Sequence, residues 1–281
     1  MHSEKNKIIS KLKRYLINDS KEQISIIYGG YGDFIALDFF LSEYEKNKIT
    51  TVYQLGYRPE LYQDFFLNYK NITNYRYFWD CLGSKDKTVQ FRSCIIDYLK
   101  KNKYNVDFVN NVINKRKYRY KNAKNSYFIN TKLSNITKFN LPNYYFVICP
   151  YTINATEKWN YRKLTNNEWK LILNYSKCFN IKAVVLGVDC DVPEHENLIN
   201  LNNKTTIYDA IEITKKGLFY IGVDSMLSII GAFDKKSLIK TRPNEGMATK
   251  NKTLYYPNDC NLVQNINKDN IKHLFKPFIK I

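Results

Sequence analysis

From Tyr144 to Lys240 the chain alternates strand-length apolar runs with helix-periodic segments, which confines it to folds built on a parallel sheet. Tyr144 to Cys149 reads as a strand, and Thr165-Asn166-Asn167-Glu168 is a capping box opening a helix that runs to about Phe179. Ala183 to Gly187 and Leu198 to Leu201 are strands, Thr206 to Lys216 is a helix closed by Gly217, and Leu218 to Val223 is a strand ending in Asp224-Ser225. A helical turn over Met226 to Phe233, a strand over Ser237 to Lys240 and the loop Thr241 to Gly246 follow. This order predicts a doubly wound α/β domain, in which ligands bind outside the carboxyl ends of the strands.

The beginning of the chain repeats the theme. Gln23 to Tyr28 reads as a buried strand, runs into Gly29-Gly30-Tyr31-Gly32-Asp33, and leads to the apolar helix-periodic stretch Phe34 to Tyr44 and a second strand at Ile49 to Leu55. That is a βαβ unit with a right-handed crossover. Between Arg58 and Asn130 the aromatic-rich segments (Phe65, Phe66, Tyr75, Tyr77, Phe78, Trp79) fit either helix or buried loop. The chain divides around Lys138 to Pro142, giving an amino-terminal domain over 1–142 and a carboxyl-terminal domain over 143–281 whose last helix is free to pack back on the first. Two such domains would face one another across a cleft.

Composition removes several classes. A charge of +18 over 281 residues with 44% hydrophobic and 15% aromatic content excludes disorder as the main state. No apolar run approaches the roughly 20 residues that span a bilayer, and Lys5, Lys7, Lys11, Lys13 and Arg14 interrupt any secretion signal, so the expected place is the cytoplasm, with peripheral contact to a membrane left open. Six cysteines without a C-x-x-C pair and three scattered histidines offer no metal centre. The charge is uneven: 1–143 holds 25 basic and 13 acidic residues, a net +12 of the +18.

Four places carry chemistry. Gly30 and Gly32 let backbone N–H groups approach a ligand at a helix start. Asp33 beside them is either a helix N-cap or a carboxylate able to take a proton from an attacking hydroxyl. The turn lacks the third glycine of a dinucleotide fingerprint. The loop after Cys149 gathers Thr152, Asn154, Thr156, Lys158, Arg162 and Lys163, donors suited to phosphate oxygens, or else a solvated basic loop. Asp224 and Ser225 end a strand where a sugar or ribose hydroxyl and a phosphate can be held, or serve as caps. Lys115, Arg116, Lys117 and Arg119, with Tyr118, Tyr120 and Lys121, suit an anionic acceptor or a solvated face.

The stretch Cys149-Pro150, Lys158-Trp159, Glu168-Trp169, Val184-Val185-Leu186-Gly187, Asn202-Asn203-Lys204-Thr205, Ile207-Tyr208-Asp209-Ala210 and Tyr220-Ile221-Gly222-Val223-Asp224-Ser225 resembles, in order and spacing, glycosyltransferase family nine, the lipopolysaccharide heptosyltransferases. Gly30-Tyr31-Gly32-Asp33 is similar to that family's amino-terminal G-D element. The resemblance implies a GT-B fold of two Rossmann-like domains, a nucleoside-diphosphate sugar held by the second, an acceptor held by the first, and inverting displacement without a metal or other cofactor. It makes Asp33 the general base, Lys158 a donor-phosphate ligand, and Asp224 and Ser225 donor contacts, with Gly187 in the matching strand. Two segments depart from the family: Met226-Leu227-Ser228-Ile229-Ile230-Gly231 stands where G-P-x-H-x-A is usual, and Lys240-Thr241-Arg242-Pro243-Asn244-Glu245-Gly246 replaces G-P-T, with Lys240 and Arg242 placed to reach a diphosphate. The expected acceptor is an anionic glycan or glycolipid. A hydroxylated DNA base is the alternative, and a non-catalytic nucleic-acid-binding protein on a relict scaffold is the second alternative.

Overall fold

In the computed structural model, the described residues are 6–7, 9–10, 24–27, 51–54, 74–77, 97–102, 106–108, 134–152, 162–234, 236–241 and 260–278. The chain forms two compact units, Met1–Ile129 and Asn130–Ile281. The first contains β1 (Ile24–Ile27), β2 (Thr51–Gln54), β3 (Asn74–Tyr77) and β4 (Val106–Phe108), hydrogen-bonded in the order β3-β2-β1-β4 with every pair parallel. β1 and β2 fall where the sequence puts strands. β3 corrects the helix-or-loop reading of Tyr75 and Tyr77: in Asn-Tyr-Arg-Tyr, aromatics alternate with polar residues at the period of a strand.

The second unit is a six-stranded sheet of β5 (Tyr145–Cys149), β6 (Lys182–Val185), β7 (Leu198–Asn200), β8 (Tyr220–Val223), β9 (Ser237–Lys240) and β10 (Asn261–Val263). Its order is β10-β9-β8-β5-β6-β7, parallel throughout. The helices are α1 (Asn166–Cys178), α2 (Ile207–Lys216), α3 (Met226–Asp234) and α4 (Lys268–Phe275). β5, β6 and β8 are apolar at nearly every position, and β9 is buried throughout, because both faces of the sheet are covered. α1, α2 and α4 each begin in a capping box, at Thr165, Thr206 and Asn267.

One face of the sheet packs under α1 and α4 around Phe275, which is fully buried, with ring centroids 5.0 Å from Phe219, 5.3 Å from Phe179 and 5.5 Å from Phe146. Ile271 and Leu274 complete the buried face of α4, so the last described helix lies in the core of its own unit. On α2, the carboxylate of Asp209 is 1% exposed and accepts from the Asn135 backbone N–H at 2.8 Å and Lys138 Nζ at 2.9 Å, which fastens the 3-10 turn Ile136–Phe139 to this unit. Burial pushes that carboxyl up, but the Asn135 N–H, Lys138 and Thr206 together outweigh it and hold it below its ordinary 3.8.

Candidate donor site at the carboxyl edge of the second sheet

From β5 the chain builds outward through β6 and β7 on one side and, after crossing back, through β8, β9 and β10 on the other. The carboxyl ends of β5 and β8 therefore form a topological switch point, where open α/β sheets leave a crevice. The two strands approach closely here because position 222 is glycine: a Cβ would press on the Cys149 carbonyl oxygen, lie 3.0 Å from the Cys149 nitrogen and 2.8 Å from the Tyr220 hydroxyl.

Past β5 the chain turns back on itself. Tyr151 bridges Lys163 in antiparallel fashion, and the Leu164 N–H donates to the Pro150 carbonyl at 2.9 Å. This register sets Thr152 opposite Arg162. Thr152 Oγ1 is buried without a hydrogen-bond partner among the described residues, and Arg162 Nη2 lies 3.5 Å from Asp224 Oδ2, the two side chains being 27% and 37% exposed. A guanidinium and a carboxylate thus pair, both part-exposed, at the sheet edge that also carries the Thr152 hydroxyl, a set that suits a ligand bearing phosphate and sugar oxygens.

Beneath them lies a closed network. The Ser228 N–H donates to Ser225 Oγ at 3.3 Å, and Ser228 Oγ accepts from the Ser225 N–H at 2.9 Å, so Ser225 caps α3. Tyr220 donates its hydroxyl to the Val223 carbonyl at 3.0 Å and lies 3.2 Å from Ser225 Oγ, which in turn contacts Cys149 Sγ at 3.7 Å. Room for the Tyr220 ring comes from Gly231 on α3, where a Cβ would stand 2.5 Å from Tyr220 Cβ. Burial raises the Cys149 thiol above its ordinary value, and burial followed by proximity to Cys149 raises the Tyr220 phenol well above 10.0. Both groups stay neutral and serve as supports rather than nucleophiles.

At the neighbouring edge, the Gly187 carbonyl accepts from the Asn203 N–H at 3.0 Å. Asn202 exchanges two bonds with the backbone of Cys190 (3.2 and 3.0 Å), and Asn203 two with Asp189 (both 3.1 Å). These asparagines staple the turn after β6 to the turn after β7. Lys240, which the sequence offered to a diphosphate, is instead turned into the core, where it forms an ion pair with Glu168 at 2.7 Å, the two side chains 4% and 5% exposed. Burial pushes the Glu168 carboxyl up, and Lys240 with the N–H groups of Thr165 and Ile266 more than offsets it, leaving the carboxyl below its ordinary 4.5.

Of the residues singled out from sequence, Thr152, Asp224 and Ser225 lie just past the carboxyl ends of the neighbouring strands β5 and β8, and Gly187 lies past β6. Gly30, Gly32, Asp33, Lys115, Arg116, Lys117, Arg119, Asn154, Lys158 and Arg242 lie outside the described residues. Ser225 acts as the cap that was one of its two readings. Tyr220, Ser228 and the Glu168–Lys240 pair were missed as parts of the site, although Ser225-x-x-Ser228 is a visible capping pattern.

No family model matches the chain, and no curated protein matches its sequence. Its fold does have solved counterparts. One is a glycosyl transferase family 9 protein from Veillonella parvula, with a TM-score of 0.56 and 10% identity over 92% of this chain and 92% of that one. Another is the E. coli heptosyltransferase WaaC solved with ADP, with a TM-score of 0.53 and 9% identity over 92% of this chain and 99% of that one. The resemblance to family nine carried by the sequence motifs is therefore met in three dimensions, and the counterparts are GT-B glycosyltransferases. At these identities the likeness is one of fold. No helix among the described residues is long and apolar enough to cross a membrane.

Proposed function

We propose that the chain is a glycosyltransferase that moves a sugar from a nucleoside-diphosphate donor to a hydroxyl of an anionic glycan or glycolipid, with inversion and without a metal. The observation that carries this is the switch-point crevice, where Arg162 stands 3.5 Å from Asp224 beside the buried hydroxyl of Thr152, in a fold shared with family nine. Arg162, with Lys158 and Arg242, supplies positive charge to the diphosphate, and Asp224 accepts from sugar or ribose hydroxyls.

The reaction forms a bond from the acceptor oxygen to the anomeric carbon as the bond from that carbon to the diphosphate oxygen breaks. The acceptor proton passes to Asp33, and the departing diphosphate carries its charge to the cations. The net +12 of residues 1–143 favours an anionic acceptor.

The test is a thermal-shift and hydrolysis screen against nucleotide sugars and free nucleoside diphosphates, in EDTA. A donor at about 100 times its Kd stabilises the folded chain by roughly 2.7 kcal/mol. Asp33→Asn is expected to lose turnover while donor binding stays near wild type. A panel without a single hit, together with tight salt-dependent DNA binding, would favour the nucleic-acid-binding alternative; transfer to a hydroxylated DNA base would identify the acceptor as DNA.

A further inference from the structure

We propose that Lys240 and Glu168 are positioning residues that hold Arg162 where it meets the diphosphate; this rests on the donor site proposed above. Lys240 closes β9 in the core and is 3% exposed, yet no step of the reaction uses it. Its ammonium donates to Glu168 Oε2 at 2.7 Å and to the Lys163 carbonyl at 3.0 Å. Glu168 Oε2 also accepts from the Thr165 N–H at 2.7 Å and the Thr165 hydroxyl at 3.0 Å, while Oε1 accepts from the Ile266 N–H at 2.9 Å. One ion pair thus joins the start of α1, the end of β9, the approach to α4 and the backbone of Lys163.

A buried ion pair adds little stability over an apolar pair of similar size, because desolvating both charges offsets their attraction. What this one supplies is placement. Lys163 is paired to Tyr151, and Arg162 is the next residue along the same return strand, its guanidinium beside Asp224. With the Lys163 carbonyl held by Lys240, Arg162 enters the crevice from a fixed backbone. Without it, a long cationic side chain must be ordered at each binding event.

The experiment is a double-mutant cycle on the full chain, with affinity for the nucleoside diphosphate that wild type binds best read by calorimetry. Arg162→Ala is expected to weaken binding about tenfold, the loss of one charge-assisted contact. Lys240→Met should weaken it by a similar factor, and the double variant no further than Arg162→Ala alone, whereas Lys240→Arg restores most of the affinity. Ser176→Ala, which removes a buried bond to the Ile181 carbonyl at the far end of α1, should lower the melting temperature and leave affinity unchanged. If Lys240→Met fails to fold, Glu168→Gln takes its place in the cycle. Additive losses, or a Lys240 variant that binds like wild type, overturn the positioning role and leave the donor site standing. A wild type that binds no nucleoside diphosphate overturns both.

Discussion

Alanine at Gly222 separates two kinds of obstacle that look alike in sequence. Gly222 is paired with Cys149 in the β5–β8 ladder, and the atoms an added methyl would meet are the Cys149 backbone and the Tyr220 hydroxyl at 2.8 Å. Neither can rotate away: the first belongs to the sheet, and the second is fixed to the Val223 carbonyl and Ser225. The strands must part, and overpacking of this kind costs about 1–3 kcal/mol. Stiffening the unfolded chain returns only about 0.4–1 kcal/mol, so a net loss remains. Gly217 provides the contrast. It caps α2 with φ −60, and its added methyl would meet Val147 Cγ2 at 3.0 Å and Tyr145 Cε2 at 3.4 Å, side-chain atoms able to shift by tenths of an ångström. Gly217→Ala should stay within about 1 kcal/mol of wild type. Urea unfolding followed by circular dichroism gives both numbers from the shift in midpoint at constant slope. Equal stability of the two variants would refute the claim that backbone contact makes glycine necessary at 222.

Phe275→Ala removes a fully buried ring that touches Phe146, Phe219, Phe179 and Tyr175, and should cost about 3–5 kcal/mol of unfolding free energy, read by the same titration. Acid should weaken the second unit: Glu168 and Asp209 both lie below their ordinary 4.5 and 3.8 in the folded state, so the stability they add is full above those values and falls away as pH drops below about 4.5. Midpoints measured between pH 7 and pH 3 check this, and Glu168→Gln should flatten the acid limb.

Much of the second sheet was legible because its signals are local. The Thr165 and Thr206 caps, the apolar runs of β5 and β8 and the Asp224-Ser225 ending all sit within a few residues of what they specify. A last helix was expected without bounds, and β10 was not foreseen: Asn-Leu-Val is three residues long, and its strand character comes from pairing with β9. Gly217 ends its helix as expected, but in an extended rather than left-handed conformation; its distinctive feature is closeness to Val147. Thr152 and Asp224 could be located just past β5 and β8 from the apolar runs that precede them. Glu168 reads locally as half of a capping box, and nothing near it announces Lys240, 72 residues away, because buried charges choose partners through the fold.

The grip of Asp209 on Asn135 and Lys138 bears on where this chain can be cut. A fragment starting at 143 would keep every strand of the second sheet and yet strip the Asp209 carboxylate of two of its donors, leaving it the Thr206 N–H at the start of its own helix. The second unit is longer than its sheet suggests: it takes in Asn135 and Lys138, and the residues that look like a connector are part of what they connect to.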